Sequence, residues 1–277
     1  MNHDDVIDFY DRHPISESQV LAAVRRRRGL LAEAPLSADD LFEFDQDHYG
    51  GLAAVDALAR LAGLTAGSRV LDLGAGLAGP ARFLASRRGC QVVALELHAG
   101  RAVGAARLTA LVRLGRRVRV VRGDATCLPF GRGRFDACLS QEGLLHIADK
   151  RAVLREAHRV LSAGGRLVFT DWVARRGLAD GERRRLAEWM AATTLQSLDG
   201  YRQLLGAAGF HGVATEDLAD EWRVVLRRRL EMFRAMRAET VARLGEARYQ
   251  DYDQLQAFFV GLIDAGKLGG GRFSASR

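Results

Sequence analysis

The chain has 277 residues, 48% hydrophobic and 27% charged, which is ample material for a core and excludes disordered and fibrous classes. The formal charge of +7 does not by itself mark a nucleic-acid binder, because Lys150 and Lys267 are the only lysines among 41 basic residues. The arginines fall in scattered short runs, Arg25–Arg28, Arg183–Arg185 and Arg227–Arg229, rather than on one face with aromatics between them. No apolar run approaches the ~18 residues of a membrane span, so no membrane partner is expected. The acidic stretch Met1-Asn2-His3-Asp4-Asp5 lacks an apolar core, so a secretory signal is not expected there. Cys90, Cys127 and Cys138 are odd in number and lack CxxC spacing, which reads as reduced thiols in a cytoplasmic protein.

Helical spacing comes first, over residues 15–28 (Val20, Leu21, Val24) and 51–62 (Leu52, Val55, Leu58). Strand and helix then alternate. Arg69–Leu73 is a strand ending in glycines, and a helix starts near Gly79, with Pro80 suited to its first turn. Cys90–Leu97, Val118–Arg122 and Phe135–Ser140 are further strands, with a helix over 100–114. Asp149 caps a helix carrying Val153, Leu154, Ala157, Val160 and Leu161. Ala163-Gly164-Gly165 breaks it before the strand Arg166–Val173. Helices over 180–195 and 199–208, a strand at His211–Leu218, two amphipathic helices and a last strand at Gly269–Ala275 complete the chain.

Apolar strands separated by helices predict an α/β fold, a doubly wound, mostly parallel seven-stranded sheet. We expect a single domain over 1–277, made of an N-terminal helical cap (1–62), a cofactor-binding core (63–175) and an acceptor-side half (176–277). The last carries a helical insertion at 219–267, before the final strand.

Gly74-Ala75-Gly76-Leu77-Ala78-Gly79 is a GxGxxG between strand and helix, and Glu96 stands twenty residues after Gly76, where an acid can accept both ribose hydroxyls. Alone this suggests NAD or FAD. Asp72, however, sits two residues before Gly74, where a pyrophosphate is repelled and an ammonium is welcomed. Gly123-Asp124-Ala125 places another acid at the sheet edge, able to accept from an adenine amino group.

These residues, with Leu128-Pro129-Phe130, Phe135-Asp136, Arg159-Val160-Leu161 and Gly164-Gly165, resemble the Rossmann-like class I S-adenosylmethionine-dependent methyltransferases over roughly Arg69 to Val173. The resemblance implies S-adenosyl-L-methionine as cofactor. It sets Asp72 and Gly74 near the methionine part, Ala75 and Gly76 of the same loop on the cofactor, Glu96 on the ribose, Leu97 on the adenine, and Asp124 with Ala125 at its edge. Ser140-Gln141-Glu142-Gly143-Leu144-Leu145-His146 resembles the sarcosine/dimethylglycine and phosphoethanolamine N-methyltransferases, with a related form in tocopherol-type C-methyltransferases. Phe169-Thr170-Asp171-Trp172 and Ser197-Leu198-Asp199-Gly200-Tyr201 fit the same group, as does Asp45-Gln46-Asp47-His48-Tyr49 as a segment closing over the cofactor.

Methyl transfer to a small-molecule acceptor is therefore expected, most readily at an amine nitrogen. A carbon or oxygen acceptor on an aromatic natural product is the alternative within the class. A nicotinamide or flavin oxidoreductase, a nucleic-acid methyltransferase and a cofactor-binding protein without turnover are the rivals outside it. His146 is the candidate catalytic base, with substrate-orienting and structural roles as its alternatives. Gln141 and Tyr49 (or His48) are expected near the cofactor. Some relatives pair the active-site histidine with an N-terminal tyrosine, and Tyr10 and Tyr49 are the N-terminal tyrosines here. Glu142 reads either as a cation-binding acid or as a solvated loop acid. Asp171 and Trp172 read either as a cradle for a cationic amine or as core beneath the insertion. No metal-ligand cluster is visible, and the oligomeric state is left open.

Overall fold

Seven strands share one sheet: β1 (Arg69–Leu73), β2 (Gln91–Glu96), β3 (Val118–Arg122), β4 (Phe135–Gln141), β5 (Leu161–Ala174), β6 (His211–Asp217) and β7 (Leu268–Ser276). The computed structural model describes residues 3–11, 15–29, 35–46, 48–192 and 194–277. The sheet order is β3-β2-β1-β4-β5-β7-β6, parallel from β3 to β5, with β7 antiparallel to both its neighbours. Strand order reverses between β1 and β4, and such a switch point opens a crevice beyond the carboxyl ends of the strands.

Alternation along β1 explains its two-sided burial. Val70 packs with Leu58, Leu84 and Leu108 on one face, while Leu71 and Leu73 pack with Leu154, Val160 and Phe169 on the other. The first face is covered by α4 (Gly51–Leu61), α5 (Gly79–Arg88) and α6 (Ala99–Leu111), the second by α7 (Lys150–Val160) and α9 (Leu198–Ala207). As expected, Asp149 caps α7, accepting from the Ala152 amide at 2.9 Å.

Several elements depart from the sequence reading. β5 begins at Leu161 rather than Arg166. Ala163-Gly164-Gly165 lies within the strand, in a register shift between the pairs Phe135–Leu161 and Ala137–Arg166, with Gly164 at a φ of 73°. The insertion holds α10 (Ala219–Ala235), α11 (Arg237–Leu244) and α12 (Glu246–Asp264), not two helices, because the chain breaks at Met236 and at Gly245 with a φ of 84°. The helix expected over 180–195 is α8 (Asp180–Met190), stopped by Ala191 in the left-handed region. Ahead of α4 the cap holds α1 (His3–Asp11), α2 (Glu17–Arg28) and α3 (Ala38–Leu41), of which the sequence reading anticipates only α2. Asp47, from the expected cofactor-closing segment, and Met1-Asn2 lie outside the described residues.

A third cluster joins the insertion to the sheet through Trp172, Trp222, Leu226 and Phe259. Gly270 on β7 lies against Trp222, where a Cβ would collide with the indole. The insertion thus packs on the carboxyl end of β5 and the start of β7.

Candidate active site

The loop after β1 carries Gly74 and Gly76 at φ values of 68° and 56°, a region that excludes most side chains. Glu96 at the end of β2 holds this loop. Its Oε2 accepts from the Gly76 amide and its Oε1 from the His98 amide, both at 2.8 Å. Glu96, Leu97, Asp124 and Ala125 line a cavity of about 360 Å³ that reaches Gly74 and His146. Asp124 is itself set by accepting from the Thr126 amide.

Asp72 points to the chemistry of the ligand. Burial, with the Glu96 charge adding to it, pushes its carboxyl up to about 7. Its Oδ2 is buried with no hydrogen-bond partner among the described residues. Gln141 at the end of β4 donates through Nε2 to His48 Nδ1 at 3.0 Å, and its Oε1 is likewise buried without a partner. Both side chains line a small cavity, about 40 Å³, with Gly74, Ala75 and Gly76. Two orphaned acceptors call for a ligand bearing donors. An ammonium brings three donors and a positive charge, whereas a pyrophosphate brings neither.

Across the crevice, a 3-10 turn at Leu144–His146 presents His146. Nδ1 lies 3.3 Å from the Ala191 carbonyl, which can only accept, so Nδ1 carries the proton. Nε2 is then the lone-pair nitrogen and accepts from the Tyr10 hydroxyl at 2.8 Å. Ala191 adopts a φ of 47°, ending α8 and exposing that carbonyl. Lys150 braces the turn, donating to the Ile147 carbonyl and to Thr194 Oγ1; burial lowers its pKa to about 8. Tyr10 borders both cavities above and a third of about 760 Å³, which His146, Glu142, Trp172 and Phe259 also line.

Glu142 is not a solvated acid. It is buried, its Oε1 accepting from Thr170 Oγ1 at 2.7 Å and its Oε2 from the Tyr49 amide at 2.9 Å. Desolvation raises its carboxyl to about 8, and its own φ of 48° is a strained choice for a non-glycine residue.

Two expected residues fall elsewhere, and a third is shared between cavity and core. Asp171 lines none of these cavities: its carboxylate accepts from the Tyr201 hydroxyl and the Leu145 amide in the core, where burial raises it to about 6. Asp171 is therefore an anchor of the His146 turn, not a substrate ligand. Tyr49 borders the 760 Å³ cavity rather than the glycine-loop cradle, its ring edge-on to Trp172 and covered by Arg229 at 4.5 Å; His48 reaches the cradle instead. Trp172 lines the large cavity, yet it is 2% exposed and packed on Trp222 beneath the insertion.

Other residues were not anticipated. Arg101 borders the cradle and stacks its guanidinium over the Tyr10 ring at 4.6 Å. Arg82, fully buried, donates through Nε and Nη2 to Asp45 and through Nη1 to Thr109 Oγ1, pinning the segment that carries His48. An acid and a base 37 residues apart in an unpatterned loop and a helix leave no sequence signal. Among the described residues no group of His, Cys, Asp and Glu could hold a metal, and no helix is long and apolar enough to cross a membrane.

Residues 71–169 match the model of the methyltransferase domain family. The chain is 30% identical over 200 residues, 70% of its length and 73% of the relative, to a 27-O-demethylrifamycin SV methyltransferase of Amycolatopsis mediterranei. This chain belongs to the S-adenosylmethionine-dependent methyltransferases. The methyltransferase is also 35% identical over 150 residues to the sarcosine/dimethylglycine N-methyltransferase of Halorhodospira halochloris, covering 54% of each chain. It thus spans about half the length of that relative. Its fold superposes on 98% of its residues, with a TM-score of 0.80 and 21% identity, on 59% of a Haemonchus contortus phosphoethanolamine N-methyltransferase 2 in complex with phosphomonomethylethanolamine and S-adenosylhomocysteine.

Proposed function

We propose that this methyltransferase moves a methyl group from S-adenosylmethionine to the nitrogen of a small-molecule amine. The observation that carries the proposal is the pair of orphaned acceptors, Asp72 Oδ2 and Gln141 Oε1, beside the glycine loop and next to the Tyr10–His146 pair. Asp72 and Gln141 hold the ammonium of the methionine portion, Glu96 the ribose, and Leu97, Asp124 and Ala125 the adenine. When bound, S-adenosylmethionine supplies an electrophilic sulfonium methyl, which a nitrogen lone pair takes as the carbon–sulfur pair returns to sulfur.

The chain's own residues supply positioning, exclusion of water and one proton acceptor. An ammonium acceptor sheds one proton for each methyl gained; that proton passes to the Tyr10 oxygen as Tyr10 gives its own hydroxyl proton to the Nε2 lone pair of His146. Tyr10 holds that nitrogen in place. Glu142, buried beside the junction of the cradle and the large cavity, offers the acceptor a carboxyl.

An oxygen acceptor is the second reading, because the relative matched over most of its length is named for 27-O-demethylrifamycin SV. We propose a cytoplasmic location, supported by the buried free thiols Cys90 and Cys138. We assign no nucleic-acid partner, since many surface arginines are spent in ion pairs such as Arg69–Asp136, Arg87–Asp39 and Arg234–Asp253.

The test is a thermal-shift comparison of S-adenosylhomocysteine with NADH, followed by transfer of a labelled methyl from S-adenosylmethionine to an amine panel. Stabilisation by NADH alone would overturn the cofactor assignment. Label on oxygen but never on nitrogen would overturn the amine.

A further inference from the structure

We infer that the acceptor is a lipophilic amine, a cationic nitrogen on an apolar skeleton of drug size, rather than a small zwitterion. This rests on the amine reading above and deepens it. The observation is the size and lining of the acceptor cavity.

Its volume is about 760 Å³. Pockets of roughly 300–1,000 Å³ take drug-sized ligands. A dimethylglycine-sized molecule has about seven non-hydrogen atoms; even at water's ~30 Å³ each it fills only about 200 Å³. Most of the cavity would then hold water against apolar walls, which is unfavourable.

The walls are polar at two places and apolar between them. Next to the cofactor cradle stand Tyr10, His48, Glu142 and His146, the groups able to bind an ammonium or take its proton. At the outer rim stand the exposed Glu188, Asp251 and Gln254, whereas Arg229, held by the His48 carbonyl and the Tyr49 ring, lies towards the cradle end, where its charge acts on Glu142. Two carboxylates at a mouth raise the local concentration of a cation. Between rim and cradle lie Phe9, Leu145, Trp172, Leu226, Leu255 and Phe259. That surface comes from α1 of the cap (Phe9), the sheet end (Leu145, Trp172) and the insertion helices α10 (Leu226) and α12 (Leu255, Phe259), so the insertion supplies half of it. An extended apolar body seated here carries its nitrogen to the Tyr10–His146 pair while displacing water from the walls.

The experiment follows S-adenosylhomocysteine release with n-butylamine, n-octylamine, dimethylglycine, phosphoethanolamine and 1-octanol as acceptors. Calorimetry of the same compounds on the protein saturated with S-adenosylhomocysteine reads binding without turnover. Each methylene buried favours binding by about fourfold, so kcat/KM and affinity should rise at least tenfold from butyl- to octylamine and exceed those for the two zwitterions. Equal or better use of dimethylglycine or phosphoethanolamine overturns the lipophilic class and leaves the amine reading standing. Methylation of 1-octanol but not octylamine overturns the amine reading, and the proposed head group with it. Absence of octylamine binding to the loaded protein overturns the proposal outright. Leu255→Trp, at a half-buried wall position, should move the chain-length preference towards the shorter amine, and an unchanged profile counts against this cavity as the seat of the skeleton.

Discussion

The Tyr10 hydroxyl donates to His146 Nε2 at 2.8 Å, although 136 residues separate the two. Because Nδ1 faces the Ala191 carbonyl, the bond fixes which nitrogen keeps its lone pair. Proton transfer from a positioned base contributes typically ~10²–10⁴-fold. His146→Ala and Tyr10→Phe should each lower kcat by about 10²-fold or more. Removing both should cost little more than removing one, since they act as a unit. S-adenosylhomocysteine affinity should change far less than turnover. Equal losses in kcat and in calorimetric affinity would demote the pair to a structural role.

Asp72→Ala and Glu96→Ala remove charged acceptors that the cofactor's donors need. Each should weaken S-adenosylhomocysteine binding by about 1–3 kcal/mol. Asp72 adds a pH signature. With a carboxyl near 7 in the free protein, it is ionised above that pH and neutral below it. Affinity should therefore rise with pH through about 7 and then level off, and Asp72→Asn should abolish the rise. A titration series at several pH values decides it.

The same shift has a stability consequence of opposite sense. Burial raises Asp72 to about 7, Glu142 to about 8 and Asp171 to about 6, all above their ordinary values. Between the unfolded and folded values the folded state holds more protons, so stability falls as pH rises through that window. The free protein should melt at a lower temperature at about pH 8 than at about pH 5.5, and Asp72→Asn should lessen the difference, leaving the part due to Glu142 and Asp171. Saturating S-adenosylhomocysteine should raise Tm more at the higher pH, where Asp72 is ionised to receive it. A free-protein Tm that climbs across this range would contradict the burial of these acids.

What was legible in the sequence is what lies close together in it. Asp72, the glycine loop and Glu96 belong to one strand–loop–helix–strand unit, and short-range spacing sets their geometry. Tyr10 was visible as an N-terminal tyrosine, but its contact with His146 depends on how α1 docks against the turn after β4, which spacing along the chain does not give. For Asp171, strand alternation already points to the core. It shares a face with Phe169 and Val173, which pack in the core around Tyr201, while Trp172 lies on the opposite side and lines the acceptor cavity. Glu142 was undecidable from spacing alone, because its burial is created by Thr170 on β5 and by Tyr49 of the cap.

The buried ion pair of Asp45 with Arg82 supports the site from behind. Both side chains are fully enclosed, and Asp45 precedes a relay in which Gln46 Oε1 accepts from His48 Nε2 and His48 Nδ1 accepts from Gln141. The Asp45 carbonyl also lies where a Cβ on Gly79 would sit, so the segment rests directly on the start of α5. Removing one partner of a buried pair leaves an uncompensated charge, at a cost of about 3–5 kcal/mol. Arg82→Met should lower unfolding free energy by that amount in urea and weaken S-adenosylhomocysteine binding by loosening His48 and Gln141. Replacing both partners, Arg82→Met with Asp45→Leu, should recover most of the stability, because no charge then remains buried. It should recover little of the affinity, since the apolar pair no longer fixes the orientation of the segment. If the double replacement restored binding as fully as stability, the pair would have no part in setting the cradle.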